Sequence, residues 1–170
     1  MENVRLAALR GYGILDTPPE PEFDAIVREA AQSFDAPIAL ISLVDENRQW
    51  FKAKIGIEAE ETPRSISFCT HAVHEGRTLV VSDATEDDRF KNNPLVTGSP
   101  LIRFYAGAPL RTESGLHIGT LCVIDTHSRP DFPREDQRKL EDMADRVIAV
   151  LEARKARSVA GGASRELAQP

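Results

Sequence analysis

The pattern of apolar and polar residues predicts two adjacent strands in the first third of the chain. Residues 37–44, PIALISLV, are almost continuously apolar and rich in β-branched side chains, which is typical of a central strand covered on both faces. After a polar turn at 45–48, apolar Phe51, Ala53 and Ile55 alternate with the residues between them. This alternation predicts a second strand with one core face and one wetter face.

Two segments before these strands show helical spacing. Residues 4–12 predict a short helix that ends at glycines. In residues 20–34 the apolar side chains recur every three or four positions, so one face is expected to be buried. These side chains are Phe23, Ile26, Val27, Ala30 and Phe34. Thr17 lies three positions before Glu20, which is the spacing of a capping box at the start of this helix.

Two apolar runs, 104–112 and 116–125, predict a hairpin, because the turn residues Glu113, Ser114 and Gly115 separate them. A two-residue loop at 114–115 pairs position 107 with position 122 and sorts the side chains onto two faces. One face is wholly apolar and is expected to meet the terminal helices. The other carries small and polar side chains, including Tyr105, Thr120 and Cys122, and we expect a cavity there.

The last predicted helix, residues 133–157, carries two apolar stripes. The first stripe has the spacing of a coiled-coil seam and consists of Leu140, Met143, Val147 and Val150. The second lies beside it and consists of Ala144, Ile148 and Leu151. One sheet is not expected to cover both, so the first stripe predicts a homodimer, joined by the helix at 4–12. The alternative is that the helix at 4–12 covers the second stripe within one chain.

The order of these elements predicts the fold class. Two helices and two strands are followed by an irregular middle at 56–103 with one short strand at 78–83, then by the hairpin and the long helix. This order indicates an α+β fold, with an antiparallel sheet, the terminal helices on one face and the middle segment on the other. Residues 1–157 are expected to form a single domain, and residues 158–170 a disordered tail.

Composition excludes several classes of function. The 170 residues are 41% hydrophobic and 28% charged, as in ordinary globular domains. Lys and Arg number 21 against 27 Asp and Glu, so the net charge of −6 gives no general attraction for nucleic acid or anionic membranes. Neither a secretory signal nor an apolar run of membrane-spanning length is visible, and the two cysteines lie far apart. We therefore expect a cytoplasmic protein with reduced thiols.

The motif SFCTHAV at 67–73, followed by His74, contains a thiol and two imidazoles. On a helix Cys69 and His71 point to different sides, so they do not form a nucleophile and its base. His71 and His74 share a face, but a zinc site would need two further ligands, and no metal is predicted. We expect Phe68 and Cys69 to pack on the sheet or to form the wall of a cavity, without catalysing a reaction.

Charged residues flank this motif. An arginine among Arg64, Arg89 and Arg103 that faced the cavity would suit a carboxylate or phosphate ligand. The alternative is that these arginines form ion pairs at the surface. The complete set of candidate pocket residues is Phe68, Cys69, His71, Asp83, Arg89, Phe90, Arg103, Tyr105, Thr120 and Cys122.

Several ordered blocks between residues 3 and 153 resemble GAF domains, and more narrowly the bacterial GAF domains that precede sensor histidine kinases and diguanylate cyclases. The blocks are LDTPPEPEFD, PIALISLVDENRQWFKA, SFCTHAV, LVVSDATEDDRF, NPLV, IRFYAGAPL and GTLCVID. The resemblance implies an antiparallel sheet of about six strands, a pocket roofed by the middle segment and dimerisation through terminal helices. It also implies a sensory module of bacterial signal transduction, as in two-component systems. Its expected partners are a small-molecule ligand and an output protein such as a histidine kinase or diguanylate cyclase.

The resemblance does not name the ligand, because this family binds cyclic nucleotides, haem, bilins or small metabolites, and no cofactor is predicted. The Asn-Lys…Phe…Asp-Glu signature of cyclic-nucleotide-binding members does not align with this chain. Bilin-binding members attach the chromophore through a cysteine before the strand that corresponds to FYAGAPL. Residues 89–103 contain none, so a covalent bilin is not expected. Two alternatives stay open: a thiol-dependent reductase resembling free-methionine-sulfoxide reductases, which also need a cysteine in that segment, and a purely structural dimerisation domain.

Overall fold

A six-stranded antiparallel sheet forms the centre of the computed structural model, which describes the backbone of residues 2–168 and the side chains of residues 2–158. Its strands are β1 (Ile38–Val44), β2 (Arg48–Ile55), β3 (Glu61–Pro63), β4 (Leu79–Val81), β5 (Phe104–Arg111) and β6 (His117–Asp125). They lie in the order β3-β2-β1-β6-β5-β4. The predicted α+β class is confirmed, and the most apolar strand, β1, lies near the middle of the sheet.

The helices are α1 (Glu2–Gly11), α2 (Pro21–Ser33), α3 (Cys69–Glu75), α4 (Pro94–Thr97) and α5 (Arg134–Ala168). The predicted capping box of α2 is wrong, because Glu20 is the N-cap without a side-chain cap and the Thr17 hydroxyl donates to the Ile14 carbonyl. The backbone of α5 continues as helix to Ala168, where a disordered tail was predicted from residue 158. Residues 169–170 lie outside the described residues. Among the described helices, none is both long and apolar enough to cross a membrane.

One face of the sheet packs against α1, α2 and α5 and forms the larger core. The hairpin places its apolar face there, as predicted, because Gly107 pairs with Cys122. The hairpin loop itself is longer than the predicted two residues, since the Thr112 amide donates to the Leu116 carbonyl. Gly115 has a φ of +85°, which suits a three-residue loop followed by a bulge.

Both apolar stripes of α5 are buried within this single chain. Leu140, Met143 and Val147 are at most 4% exposed, and Val150 packs partly buried against the same core. The second stripe is buried as well, because α5 contacts both the sheet and α2. The prediction that the first stripe forms a dimer seam is therefore wrong: these side chains form the chain's own core.

A bulge in β2 changes the faces that its alternation predicted. Ile41 pairs with Ala53 and Ser42 pairs with Phe51, so Lys52 has no partner opposite it on β1. Phe51 and Ala53 consequently lie on opposite faces of the sheet, and the prediction that they share one is wrong. Lys52 turns its side chain toward α2, where it is buried.

The other face of the sheet is covered by α3, α4 and the loops around them, and Leu79 and Val81 of β4 point toward this layer. A smaller core forms here, around Phe68 from the covering layer and Tyr105 from the sheet. The predicted arrangement of terminal helices on one face and the middle segment on the other is thus observed. The cavity described next lies in this second layer.

Candidate functional site

A cavity of about 400 Å³ lies between the sheet and the segments that cover it. Its floor comes from β1, β2, β5 and β6, and its roof from residues 56–62, the start of α3 and residues 95–102. Most of the wall is apolar and includes Leu40, Phe51 and Ile102. Its volume and polarity fall in the range of sites that hold small molecules.

Four of the ten predicted pocket residues line this cavity: Phe68, Cys69, Tyr105 and Cys122. Cys69 is the first residue of α3, in the turn that packs against the sheet. Tyr105 and Cys122 lie on the mixed face of the hairpin, where the register placed them. Thr120 shares that face but is fully buried beneath Cys69 and does not reach the cavity.

Phe90 and His71 stand behind the wall, so their prediction as lining residues is wrong. The Phe90 ring stacks on Phe68 with their centroids 4.0 Å apart, and Phe68 occupies that part of the wall. His71 meets the edge of the Phe90 ring at 4.9 Å, beside a separate surface depression. Burial and the neighbouring Arg89 lower the pKa of His71, which keeps its imidazole neutral at pH 7.

The charged candidates Asp83, Arg89 and Arg103 also lie outside the cavity, and their predicted contact with a ligand is wrong. Asp83 accepts a hydrogen bond from a backbone N–H two residues on and caps a short turn. Arg89 forms a two-pronged pair with Asp87, with N–O distances of 3.0 and 2.8 Å. Arg103 donates to two backbone carbonyls near α4. The protein itself therefore satisfies these groups.

The cavity wall offers no positive charge to an anion. None of the described residues that line it is Lys, Arg or His, and Glu58 at the rim is their one carboxylate. Arg64, the remaining arginine considered from sequence, binds the Glu2 carboxylate instead. An anion placed here would lose its hydration without gaining a counter-charge. Within the described part of the chain, no three His, Cys, Asp or Glu side chains form a metal-ligand set.

Gln49 adds a polar group to the wall that sequence reasoning missed. Its amide oxygen accepts hydrogen bonds from Ser42 at 3.0 Å and Ser67 at 2.9 Å, and its nitrogen donates to Thr62 at 2.6 Å. A glutamine beside the aromatic residues of a strand was the available signal, because a buried amide needs partners. Phe51 was missed as well. The alternation of apolar and polar residues in β2 gives no sign of the bulge that turns Phe51 toward the cavity.

Cys69 lies at the centre of a buried cluster of hydroxyls and thiols. Its sulfur accepts hydrogen bonds from Thr120 Oγ1 at 3.0 Å and Tyr105 Oη at 3.2 Å, and the Cys122 thiol lies beside it. Burial opposes ionisation, but hydrogen bonds from Cys122, Thr120 and Tyr105 outweigh it and hold the pKa of Cys69 below its ordinary value. The interaction with Cys69, together with burial, raises the pKa of Cys122 well above its ordinary value. Cys69 therefore loses its proton first.

Comparison with known proteins gives a family and a set of similar folds. A model described as the GAF domain matches residues 18–151. A cyclic di-GMP phosphodiesterase of Pseudomonas aeruginosa is 45% identical over 148 residues, which cover 87% of this chain and 25% of that protein. The chain thus spans about a quarter of that relative's length.

Two solved structures show the same fold. The GAF domain of an Acinetobacter phosphoenolpyruvate-protein phosphotransferase superimposes with a TM-score of 0.66 at 20% identity, over 92% of this chain and 97% of that one. A free methionine-R-sulfoxide reductase from Neisseria meningitidis, solved with its substrate, gives a TM-score of 0.66 at 19% identity, over 86% of each chain. Identities this low support the fold alone.

Proposed function

The chain belongs to the GAF domain family, and we propose that it is a sensory module that binds a small, uncharged and mainly apolar molecule in the cavity. In this proposal the domain catalyses no reaction. It acts in bacterial signal transduction and signals through its terminal helices in a homodimer. Its output comes from a partner or attached domain such as a histidine kinase, a diguanylate cyclase or a phosphodiesterase.

The observation that carries this proposal is the polarity of the cavity wall. Apolar side chains form most of it, and its described residues include no cation. The polar groups that do line it, such as Gln49 and Tyr105, already bond to the protein. A ligand with several charged or polar groups would leave them unpaired, whereas an apolar ligand would gain from burial.

Cyclic di-GMP is not the ligand that we propose, although it appears in the name of the Pseudomonas relative. Its phosphates would enter a cavity whose described wall lacks cations and whose rim carries Glu58. Removing phosphate charge from water without pairing it costs several kcal/mol or more. If a longer protein carries this domain, we propose that any reaction on cyclic di-GMP belongs to a different domain.

A chain of polar contacts offers a route from the cavity to α5. Phe51 lines the cavity, and the neighbouring bulged Lys52 points to the opposite side of β2. The Lys52 ammonium bonds to the Glu20 carboxylate at the start of α2, and Glu20 also accepts from Arg154 of α5 at 3.1 Å. A ligand that moves Phe51 would therefore shift the anchor of α5, and this couples binding to the terminal helix.

Probe molecules that differ mainly in charge test the ligand class. We expect indole and para-cresol to raise the melting temperature and to give binding heat, and indole carboxylate and para-hydroxybenzoate to do neither.

Ala59 is exposed at the cavity mouth, so Ala59→Trp should block binding and leave the melting temperature unchanged. Ala25→Trp, at an exposed position of α2 away from the cavity, is the matched control and should bind like the wild type. Equal binding of the anions would contradict the proposal.

The two alternatives make different predictions. Cys69 and Cys122 both face the cavity, which favours a thiol-dependent reductase as the second candidate. That enzyme would reduce free methionine sulfoxide and would lose this activity in Cys69→Ser. We expect no turnover, because residues 89–103 supply no further cysteine. A purely structural dimerisation domain is disfavoured by the cavity, since interior volume that side chains do not fill destabilises a fold.

A further inference from the structure

The inner wall of the cavity brings the chain's two cysteines to one patch of the sheet. The Cys69 sulfur is held against Thr120 and Tyr105 by the two hydrogen bonds described above. The Tyr105 hydroxyl lies directly over Gly107, and Gly107 pairs with Cys122 across the hairpin. Both cysteines line the cavity, although they are at most 2% exposed, so a reagent would have to reach their sulfurs through that cavity.

The surroundings of the two sulfurs give them different roles. Hydroxyl donors surround Cys69 and stabilise its thiolate, which is the nucleophilic form. Cys122 keeps its proton, because a second negative charge beside the first is unfavourable in a buried site. One sulfur is thus prepared to attack an electrophile, and its neighbour is placed to attack the product.

We propose that Cys69 and Cys122 form a peroxide-reactive dithiol site in which Cys69 is the attacking thiol and Cys122 the resolving thiol. The co-reactant is hydrogen peroxide, which is small enough to enter the cavity. This reaction is a single stoichiometric oxidation of the domain and needs no other ligand, so it stands independently of the small-molecule binding proposed above.

The reaction has two balanced steps. The Cys69 thiolate attacks one peroxide oxygen, an S–O bond forms, the O–O bond breaks, and the leaving hydroxide takes a proton to become water. Cys69 is then a sulfenic acid, oxidised by two electrons. The Cys122 sulfur next attacks the Cys69 sulfur, the S–O bond breaks, the S–S bond forms, and the Cys122 proton leaves with hydroxide as water. Two thiols and one peroxide become one disulfide and two waters.

Mass spectrometry of the reduced full chain after treatment with hydrogen peroxide tests this site. We expect the loss of two hydrogen atoms per chain and, after digestion, a peptide that links Cys69 to Cys122. In Cys122→Ser the sulfenic acid should persist and be trapped by dimedone at Cys69.

Thr120→Val removes one hydrogen-bond donor to the Cys69 sulfur, and we expect the oxidation to slow about tenfold. The exposed control Thr97→Val should react like the wild type.

Any of the following outcomes would overturn this proposal. The first is that both thiols stay free under conditions that oxidise glutathione. The second is that disulfides form only between chains, or that Cys69 proceeds to higher oxides while Cys122 is present. The third is that Cys122 of the Cys69→Ser variant reacts with peroxide as fast as the wild-type protein does. Cys69 would then not be the attacking thiol. Binding of indole by reduced protein is measured separately, so failure of one proposal leaves the other testable.

Discussion

Gly107 has no room for a side chain, because Tyr105 on the same strand folds back over it. A Cβ at position 107 would lie 2.2 Å from the Tyr105 hydroxyl oxygen, and the ring atoms are almost as close. The added methyl must displace the ring and break its hydrogen bond to Cys69. We expect Gly107→Ala to lower the free energy of unfolding in urea by about 1–3 kcal/mol.

A double-mutant cycle separates this clash from a general preference for glycine. In a Tyr105→Ala background the ring is absent. Adding Gly107→Ala should therefore lower the free energy of unfolding by much less than it does in the wild type. The same cost in both backgrounds would show that Tyr105 is not the obstacle. The cavity should also bind indole differently in Tyr105→Ala, since Tyr105 forms part of its wall.

Single residues of the cavity could be predicted only where strand alternation applies. The hairpin register placed Tyr105 and Cys122 on the cavity face, because side chains alternate strictly along paired strands. Asp83 and Arg89 lie in irregular segments, where local turns and ion pairs set the direction of each side chain. Nearness in sequence to a cavity segment therefore gave no information about their contacts.

At the scale of elements, α5 packs its apolar stripes inward, so a charge placed on them should destabilise the fold itself. Val147 is fully buried against the sheet, so the carboxylate of Val147→Glu would enter the core without a partner. We expect the free energy of unfolding to fall by about 3–5 kcal/mol, measured by urea unfolding followed by circular dichroism. Arg138→Glu, exposed on the same helix, should leave stability nearly unchanged. A stable, folded Val147→Glu protein would contradict the packing of α5.

The contact between α2, β2 and α5 makes part of the stability depend on pH. Burial raises the pKa of Glu20, but the hydrogen bond and charge of Lys52 and the nearby Arg154 outweigh it and hold the pKa below the usual 4.5. A depressed carboxyl pKa stabilises the fold above the unfolded value, and this contribution is lost as the pH falls through the folded value. Urea unfolding from about pH 7 to about pH 3 should therefore show a weaker pH dependence in Glu20→Gln.

Glu22→Gln is the matched control for this prediction, because Glu22 lies two residues from Glu20, in the first turn of α2, and is exposed. It should retain the wild-type dependence of stability on pH. If Glu20→Gln and the wild type lose stability in parallel as the solution becomes acidic, the contact of Glu20 with Lys52 does not contribute as described.

Most elements could be predicted from sequence periodicity, because each buries one face over several turns or pairs. The hairpin and the start of the long helix occur where the patterns placed them, although this helix continues beyond its predicted end at residue 157. The bulge at Lys52 could not be predicted, since a one-residue insertion leaves the local alternation intact and appears only in the pairing of β2 with β1. The sequence also did not predict that both apolar stripes of α5 are buried within one chain, because this burial requires contacts with α2 as well as with the sheet.

At the scale of the whole molecule, the homodimer stays a prediction, but it must use a different surface from the one the stripes suggested. Leu140, Met143 and Val147 are occupied within the chain. The opposite side of α5 exposes Ala149, Ala153 and Ala156, at spacings of four and three residues. Small side chains at this spacing would let a second copy of the helix approach closely.

We therefore predict a homodimer formed through the exposed side of α5, with α1 beside it. Sedimentation equilibrium of the wild type should give twice the chain mass at micromolar concentration. Ala153→Glu should shift this equilibrium toward monomer without unfolding the chain, because position 153 is exposed and two copies would bring like charges together. Asn92→Glu places the same side chain at an exposed position of the segment on the other face of the sheet and should sediment like the wild type. A wild type that stays monomeric would contradict the predicted dimer. Signalling would then depend on α5 within one chain.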